Sequence, residues 1–95
     1  MIDKTSWKNP QRINSGSLLI ESGDGRYKLW FDGRYTFYWQ LGTAFYNSRS
    51  IETLYDLDSL LCELNIGYSF GELNNRLKEV GLRLPLNKND ELVAV

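Results

Sequence analysis

Carboxylates in the second half of the chain come nearest, in type and spacing, to a catalytic or metal-binding pattern. Glu52 and Asp56 are four residues apart, so on a helix they share one face and could together hold a metal ion. Asp56 and Asp58 are only two apart and would point in different directions. Carboxylates on an exposed helix face are more often ordinary surface charges, so this pattern alone does not indicate a metal site.

The groups that most enzymes need are missing from the sequence. It contains no histidine, which is the commonest general base and the commonest metal ligand. Its single cysteine, Cys62, has no histidine to activate it and no second cysteine for a disulfide. The glycine-containing turn at residues 23–25 lacks the strand-to-helix setting of a phosphate-binding loop. We therefore expect a protein that is not an enzyme, with no catalytic residue, no metal and no cofactor.

An aromatic segment with regularly placed cations, residues 26–40, is the stronger candidate for binding chemistry. Its sequence, RYKLWFDGRYTFYWQ, contains three tyrosines, two tryptophans and two phenylalanines. The Asp32-Gly33 pair near its middle is a hairpin signal, so residues 26–31 and 34–41 are predicted to form antiparallel strands. Trp, Tyr and Arg dominate the energetic centres of protein interfaces, so the face on which each side chain lies becomes important.

The length of the turn around Gly33 decides which side chains share a face of this hairpin. A two-residue loop would mix apolar and charged side chains on both faces, whereas a three-residue loop with a left-handed Gly33 gives one apolar face. We predict the three-residue loop, which assigns to the core Tyr27, Leu29, Phe31, Tyr35, Phe37 and Trp39. The opposite face, either a partner-binding or an ordinary solvated surface, then carries Arg26, Lys28, Trp30, Arg34 and Tyr38.

The predicted helix at residues 51–65 offers a second candidate surface. Its leucines recur at helical spacing after a possible N-cap at Ser50, and it contains no Lys or Arg. Glu52, Asp56 and Glu63 fall opposite the leucines and form either a solvated face or a partner-binding face for a basic protein. The chain as a whole is bipolar, because its first 50 residues hold seven basic and four acidic side chains and the remainder holds four and eight.

These patterns predict a single α+β domain that spans residues 1–95. Residues 17–22 would add a third strand to the hairpin, and residues 1–15 are expected to form an irregular N-terminal arm. The fold class is therefore a three-stranded antiparallel sheet packed on two helices, with a short C-terminal β segment.

The second helix and the C-terminal segment follow from local signals. Ser69 and Glu72 have the spacing of a capping box, so a helix is predicted to begin at Phe70 and to end near Gly81. Leu82, Leu84 and Leu86 alternate as in a short strand, and residues 92–95 are predicted to form a final strand.

Two short segments, Leu41-Gly42-Thr43 with Phe45 and Tyr55-Asp56, lie where a predicted three-stranded sheet is followed by a helix. On these residues and this order of elements, residues 16–65 resemble the AP2-type and phage-integrase arm-binding domains. In that family the exposed sheet face reads DNA. Here that role would fall to the face of the hairpin opposite the core, here called the cationic face, which carries Arg26, Lys28, Trp30, Arg34 and Tyr38. The face carries fewer cations than such domains have, and the helix that follows is acidic.

The sequence thus favours a non-catalytic protein-binding domain, such as a small adaptor, inhibitor or regulatory protein. The alternative is a nucleic-acid-binding regulator that uses the exposed sheet face. Pairing of the cationic sheet face with the acidic helix face of a second copy would give a homodimer. No apolar run approaches the roughly 20 residues of a membrane span, and the polar N-terminus is unlike a signal peptide, so a cytoplasmic protein is expected.

Overall fold

A computed structural model describes residues 5–41 and 45–86 of the chain. It has an α+β fold in which one five-stranded antiparallel sheet, with strand order β1-β2-β3-β4-β5, is covered on one face by two helices. The strands are β1 Gln11–Asn14, β2 Ser17–Glu21, β3 Tyr27–Phe31, β4 Tyr35–Leu41 and β5 Phe45–Ile51. The helices are α1 Leu54–Glu63 and α2 Phe70–Glu79, joined through a 3₁₀ turn at Gly67–Ser69.

The prediction of a three-stranded sheet was wrong, because a further strand pairs on each side of the predicted three. β1 lies within the segment expected to be an irregular arm, and all four of its residues are exposed. β5 runs into the segment predicted to begin the helix, and its residues 46–50 are also exposed. Neither strand buries a repeating apolar face, which is the signal on which strand prediction depends.

The hairpin register was predicted correctly. Phe31 pairs with Tyr35 and Leu29 pairs with Phe37, as a three-residue loop requires. Gly33 has a φ of 101°, which a residue with a side chain rarely adopts, so glycine permits this turn. The Asp32 N–H donates to the Arg34 carbonyl oxygen at 3.1 Å and closes the loop.

The first helix begins three residues later than the sequence predicted. Thr53, and not Ser50, is its N-cap, because the Thr53 hydroxyl accepts from the Asp56 N–H while the Asp56 carboxylate accepts from the Thr53 N–H. This reciprocal pair is a capping box, which satisfies N–H groups that the first turn leaves without helical partners. Ser50 and Ile51 lie instead in β5.

The second helix begins at Phe70 as predicted, but without the predicted capping box. The Ser69 hydroxyl donates to the Ile66 carbonyl oxygen at 2.7 Å, and the Glu72 carboxylate accepts from the Trp7 N–H at 2.9 Å. The helix ends near Gly81, whose φ of 76° matches the left-handed conformation common after a helix.

The predicted strand at residues 82–86 was also wrong. This segment has no strand structure, and it packs against the start of α1, where the Leu54 N–H donates to the Pro85 carbonyl oxygen at 2.8 Å. Leu84 is buried in the core. Burial raises the pKa of the neighbouring Tyr35, against the opposing effect of a hydrogen bond with the Arg83 backbone. The other predicted C-terminal strand, residues 92–95, lies outside the described residues.

The core fills the space between the helices and the apolar face of the sheet. Phe37 lies at its centre and is fully buried, with Trp7, Tyr27 and Trp39 around it at ring-centroid distances of 6.1 to 6.4 Å. Leucines of both helices close the core from the other side: Leu57, Leu60, Leu61, Leu73 and Leu77. The two described helices therefore cover the face that the register predicted to be apolar, and neither of them covers the opposite face of the sheet.

Candidate binding face of the sheet

The face of the sheet that points away from the helices, here called the outer face, is built by cross-strand pairing. One row across the sheet consists of Leu19, Trp30, Thr36 and Ser50, and the next consists of Glu21, Lys28, Tyr38 and Ser48. Side chains alternate between the two faces of a strand, so these rows lie opposite the buried row that contains Leu29 and Phe37.

Apolar and aromatic side chains collect near the centre of the outer face. They line a shallow depression of about 360 Å³ formed by Leu19, Lys28, Trp30, Tyr38 and Tyr46. Trp30 and Tyr38 are partly exposed, and Tyr46 is 46% exposed. The outer face of an antiparallel sheet is usually polar, so a cluster of three aromatic rings and a leucine on this face is a candidate binding surface.

Lys28 supplies the positive charge within this depression. Its ammonium group lies 3.7 Å from a carboxylate oxygen of Glu21 and 4.9 Å from the centre of the Tyr46 ring. The Lys28 and Glu21 side chains are 32% and 23% exposed, so the ion pair is only partly screened by solvent. Together the contacts hold Lys28 beside the aromatic cluster, so one charged group lies among the apolar side chains that line the depression.

The structure brings together three of the five residues predicted for this face. Lys28, Trp30 and Tyr38 line the same depression. Arg26 lies one residue before β3, with its guanidinium 5.7 Å from the Tyr27 ring centre. Arg34 belongs to the β3–β4 turn and lines a different cleft, next to Leu84 and Pro85. The two arginines are therefore exposed cations near the ends of β3 and β4, outside the depression.

Two residues of the depression were missed by the sequence analysis. Leu19 lies in the predicted first strand, and its alternation with the buried Leu18 and Ile20 could have placed it on the outer face. Tyr46 gave no such signal, because it lies in β5, a strand that the sequence did not reveal. Its hydroxyl donates to the Gly25 carbonyl oxygen at 3.2 Å, which holds the ring over the edge of the depression.

The three acidic residues predicted to form a helix face have separate local roles. Glu52 precedes α1, and its N–H donates to the Asp56 carboxylate at 3.2 Å. Asp56 caps the helix, as described above. Glu63, at the other end of α1, forms an ion pair with Arg49 of β5 at 3.2 Å. A partner-binding role for these residues stays a prediction, and the larger part of their geometry is explained by capping and by the β5–α1 contact.

Nothing in the described parts of the chain groups three or more His, Cys, Asp or Glu side chains in a way that could hold a metal ion. Cys62 is exposed, and its sulfur lies 4.0 Å from an Asp58 carboxylate oxygen. The described helices are too short or too polar to cross a membrane.

Comparison of the chain with protein-family models, with curated proteins and with solved structures finds no match in any of the three. The geometry of the outer face is therefore the basis for a proposed function.

Proposed function

We propose that this protein is a non-catalytic protein-binding domain, of the adaptor, inhibitor or regulatory kind, and that the outer face of its sheet receives a segment of a partner protein. The observation that carries the proposal is the depression lined by Leu19, Trp30, Tyr38 and Tyr46 around Lys28. These rings are not needed to fill the core, which the helices close on the other face of the sheet.

The chemistry of the depression defines the partner segment. Binding becomes more favourable when an apolar side chain displaces water from partly exposed Trp and Tyr side chains. Such residues are enriched at binding hot spots. Lys28 lies within the depression, and Arg26 and Arg34 are exposed near the ends of the strands. A segment with an apolar anchor and nearby carboxylates fits this arrangement, because rim charges of opposite sign favour encounter and orientation.

Protein is favoured over nucleic acid because the outer face has few uncommitted cations. Lys28 is already paired with Glu21, and the affinity of a protein for nucleic acid depends mainly on the number of phosphates it neutralises. Aromatic rings could stack on bases, but without a cationic track they would not hold a phosphate backbone.

Exposed, unpaired Cys62 also suits a reducing compartment, which supports the proposed cytoplasmic location.

A random-peptide display library, selected on the immobilised protein, tests the proposal. We expect enriched peptides that combine an aromatic or aliphatic anchor with Asp or Glu. The same peptides should lose at least about tenfold in affinity for a Trp30→Ser variant, which corresponds to roughly 1.4 kcal/mol. Tyr55→Ser is the matched control, because Tyr55 is an aromatic residue on α1 that is 67% exposed and distant in the fold from the outer face.

The proposal fails if no peptide is enriched, or if Trp30→Ser and Tyr55→Ser bind the selected peptides equally well. A labelled single-stranded oligonucleotide provides the comparison for the nucleic-acid alternative. Binding of that probe at low salt that weakens steeply with added salt and is lost in Arg26→Ala/Arg34→Ala would reassign the outer face to nucleic acid.

A further inference from the structure

The last strand of the sheet, β5, has one hydrogen-bonding edge that no strand in the described parts of the chain occupies. In the described parts of the chain, β4 is the only strand that pairs with it. The Gln40 N–H donates to the Arg26 carbonyl oxygen on the β3 side, so by alternation the odd-numbered residues of β4 bond to β5. The backbone groups of β5 that point away from the sheet are then those of Tyr46, Ser48 and Ser50. In agreement, the Ser48 N–H donates to the Asn47 side-chain oxygen at 3.0 Å and not to β4.

The two edges of the sheet differ in how well they are protected against added strands. β1 has four residues, follows Pro10 and has a register irregularity between Arg12 and Asn14. Short length, proline and bulges are the devices by which natural edge strands avoid pairing. β5 has seven residues, contains no proline and pairs with β4 in unbroken register. The only charged residue in β5 is Arg49, which pairs with Glu63 on the helix side of the sheet.

We propose that β5 pairs antiparallel with β5 of a second copy of this chain, around a two-fold axis at Ser48. This register places Tyr46 opposite the partner's Ser50 and Arg49 opposite the partner's Asn47, so no two like charges meet. A register centred on Arg49 would place two guanidinium groups opposite each other, which is unfavourable. Because the N–H and C=O of Ser48 both point outward, the two copies of Ser48 can exchange two hydrogen bonds at the axis once each Ser48 N–H leaves the side-chain oxygen of its own Asn47.

The acidic character of α1 does not oppose this contact. Glu63 is the α1 carboxylate that reaches β5, and Arg49 neutralises it at 3.2 Å. The pairing uses the edge of the sheet and leaves the depression around Trp30 open, so it is independent of the proposed binding function. A two-fold axis perpendicular to the sheet would join the sheets of the two copies and place both depressions on the same side.

Sedimentation equilibrium over a concentration series tests the pairing. Wild type should approach twice the chain mass of 11.0 kDa as concentration rises. Ser48→Lys puts like charges opposite each other at the axis and should raise the dimer Kd by about tenfold or more. Gln11→Lys is the matched control, because it adds the same charge to an exposed residue of the other edge strand and should leave the dimer Kd unchanged.

Disulfide cross-linking gives a second readout that does not depend on the lysine variant. In a Cys62→Ser background, Ser48→Cys should form a covalent dimer on mild oxidation, because facing residues of a hydrogen-bonded pair have Cα atoms about 5.5 Å apart, within disulfide range. Asn47→Cys in the same background should cross-link much less, since the two copies of residue 47 lie diagonally across the axis and do not face each other. A wild type that stays monomeric at every concentration, or cross-linking of Asn47→Cys as readily as Ser48→Cys, would overturn the pairing.

Discussion

Trp7 fixes the N-terminal segment to both layers of the molecule. Its backbone N–H donates to the Glu72 carboxylate at 2.9 Å, and its backbone carbonyl oxygen accepts from the Arg76 guanidinium at 3.2 Å. Its ring is 2% exposed and lies edge-on to Phe37, while its backbone bridges to Ser22 beside β2. One residue therefore connects α2, the core and the sheet, which explains why a segment with one large apolar residue is held in place.

Removal of the Trp7 side chain should be among the most destabilising changes near the N-terminus. We expect Trp7→Ala to lower the free energy of unfolding by about 3–5 kcal/mol, because it leaves a large cavity beside Phe37. Trp7→Phe should cost clearly less, since the indole Nε1 has no hydrogen-bond partner in the described structure and its loss leaves no acceptor unsatisfied. Urea denaturation measures both, and equal losses for the two variants would contradict the packing role.

Asp24 makes the turn between β2 and β3 sensitive to acid. Burial raises the pKa of Asp24. Hydrogen bonds from the Ser22 hydroxyl and the Arg26 backbone N–H, together with the Arg26 charge, outweigh burial and lower the pKa below its ordinary value of 3.8. The stability that the ionised group contributes is therefore present above about pH 3.8 and is lost as pH falls through the folded-state value. In urea denaturation across this range, Asp24→Asn should flatten the pH dependence, whereas parallel curves for wild type and variant would contradict this assignment.

At the scale of elements, the β3–β4 hairpin decides which side chains are core and which are available for binding. The left-handed Gly33 sets the three-residue loop, and a shift of one residue would exchange the two faces. Gly33→Ala should destabilise the protein by about 1–2 kcal/mol, because a side chain is strained at this φ. Gly16→Ala in the β1–β2 turn is the control, since an added Cβ meets nothing within 4 Å and its φ is not in the left-handed range, so the free energy of unfolding from thermal melts should not fall.

The same elements show how far the sequence could predict the fold. The hairpin register followed from alternation, because Leu29 and Phe37 must share a buried face. β1 and β5 could not be predicted in this way, since edge strands that expose residues such as Gln11 and Asn47 have no apolar period. The helix start was misplaced for a related reason, since Ile51 fits the apolar pattern of the helix but is buried as the last residue of β5.

The candidate site was predictable to the extent that it depended on the hairpin. Lys28, Trp30 and Tyr38 were assigned to one face by register alone, and they line one depression. Arg26 and Arg34 were predicted to join them but fall outside the strands, where alternation no longer determines direction. Tyr46 required the pairing of β5 with β4, in which Gln40 is its partner, and the exposed residues of β5 have no apolar period that would predict this strand.

At the scale of the whole molecule, the basic and acidic halves of the sequence lie in different layers of the fold. The sheet is built from the basic first half of the sequence, and the helices come from the acidic second half. Both helices lie on the inner face, so in the described parts of the chain the outer face keeps its aromatic rings and Lys28 accessible, with exposed Arg26 and Arg34 near the ends of β3 and β4. This arrangement is the reason for assigning an apolar, acidic segment as the partner of the outer face.

The two faces of the sheet should respond differently to truncation of an aromatic ring. Phe37 is fully buried, so Phe37→Ala should cost about 3–5 kcal/mol of unfolding free energy. Trp30 is only partly buried, and Trp30→Ser should cost much less unfolding free energy while it weakens peptide binding at least about tenfold. If Trp30→Ser destabilised the fold as much as Phe37→Ala, Trp30 would be a structural residue and the outer face would lose its central candidate.

The most direct measurement of the central claim is a nuclear magnetic resonance titration of the isotope-labelled protein with a library-selected peptide. The Trp30 indole signal and the amide signals of Lys28, Tyr38 and Tyr46 should shift together and saturate with one affinity, while signals from the exposed side of α1 should stay in place. Shifts centred on α1, or on the cleft beside Leu84 and Pro85, with an unchanged Trp30 signal, would contradict the assignment of the outer face as the binding surface.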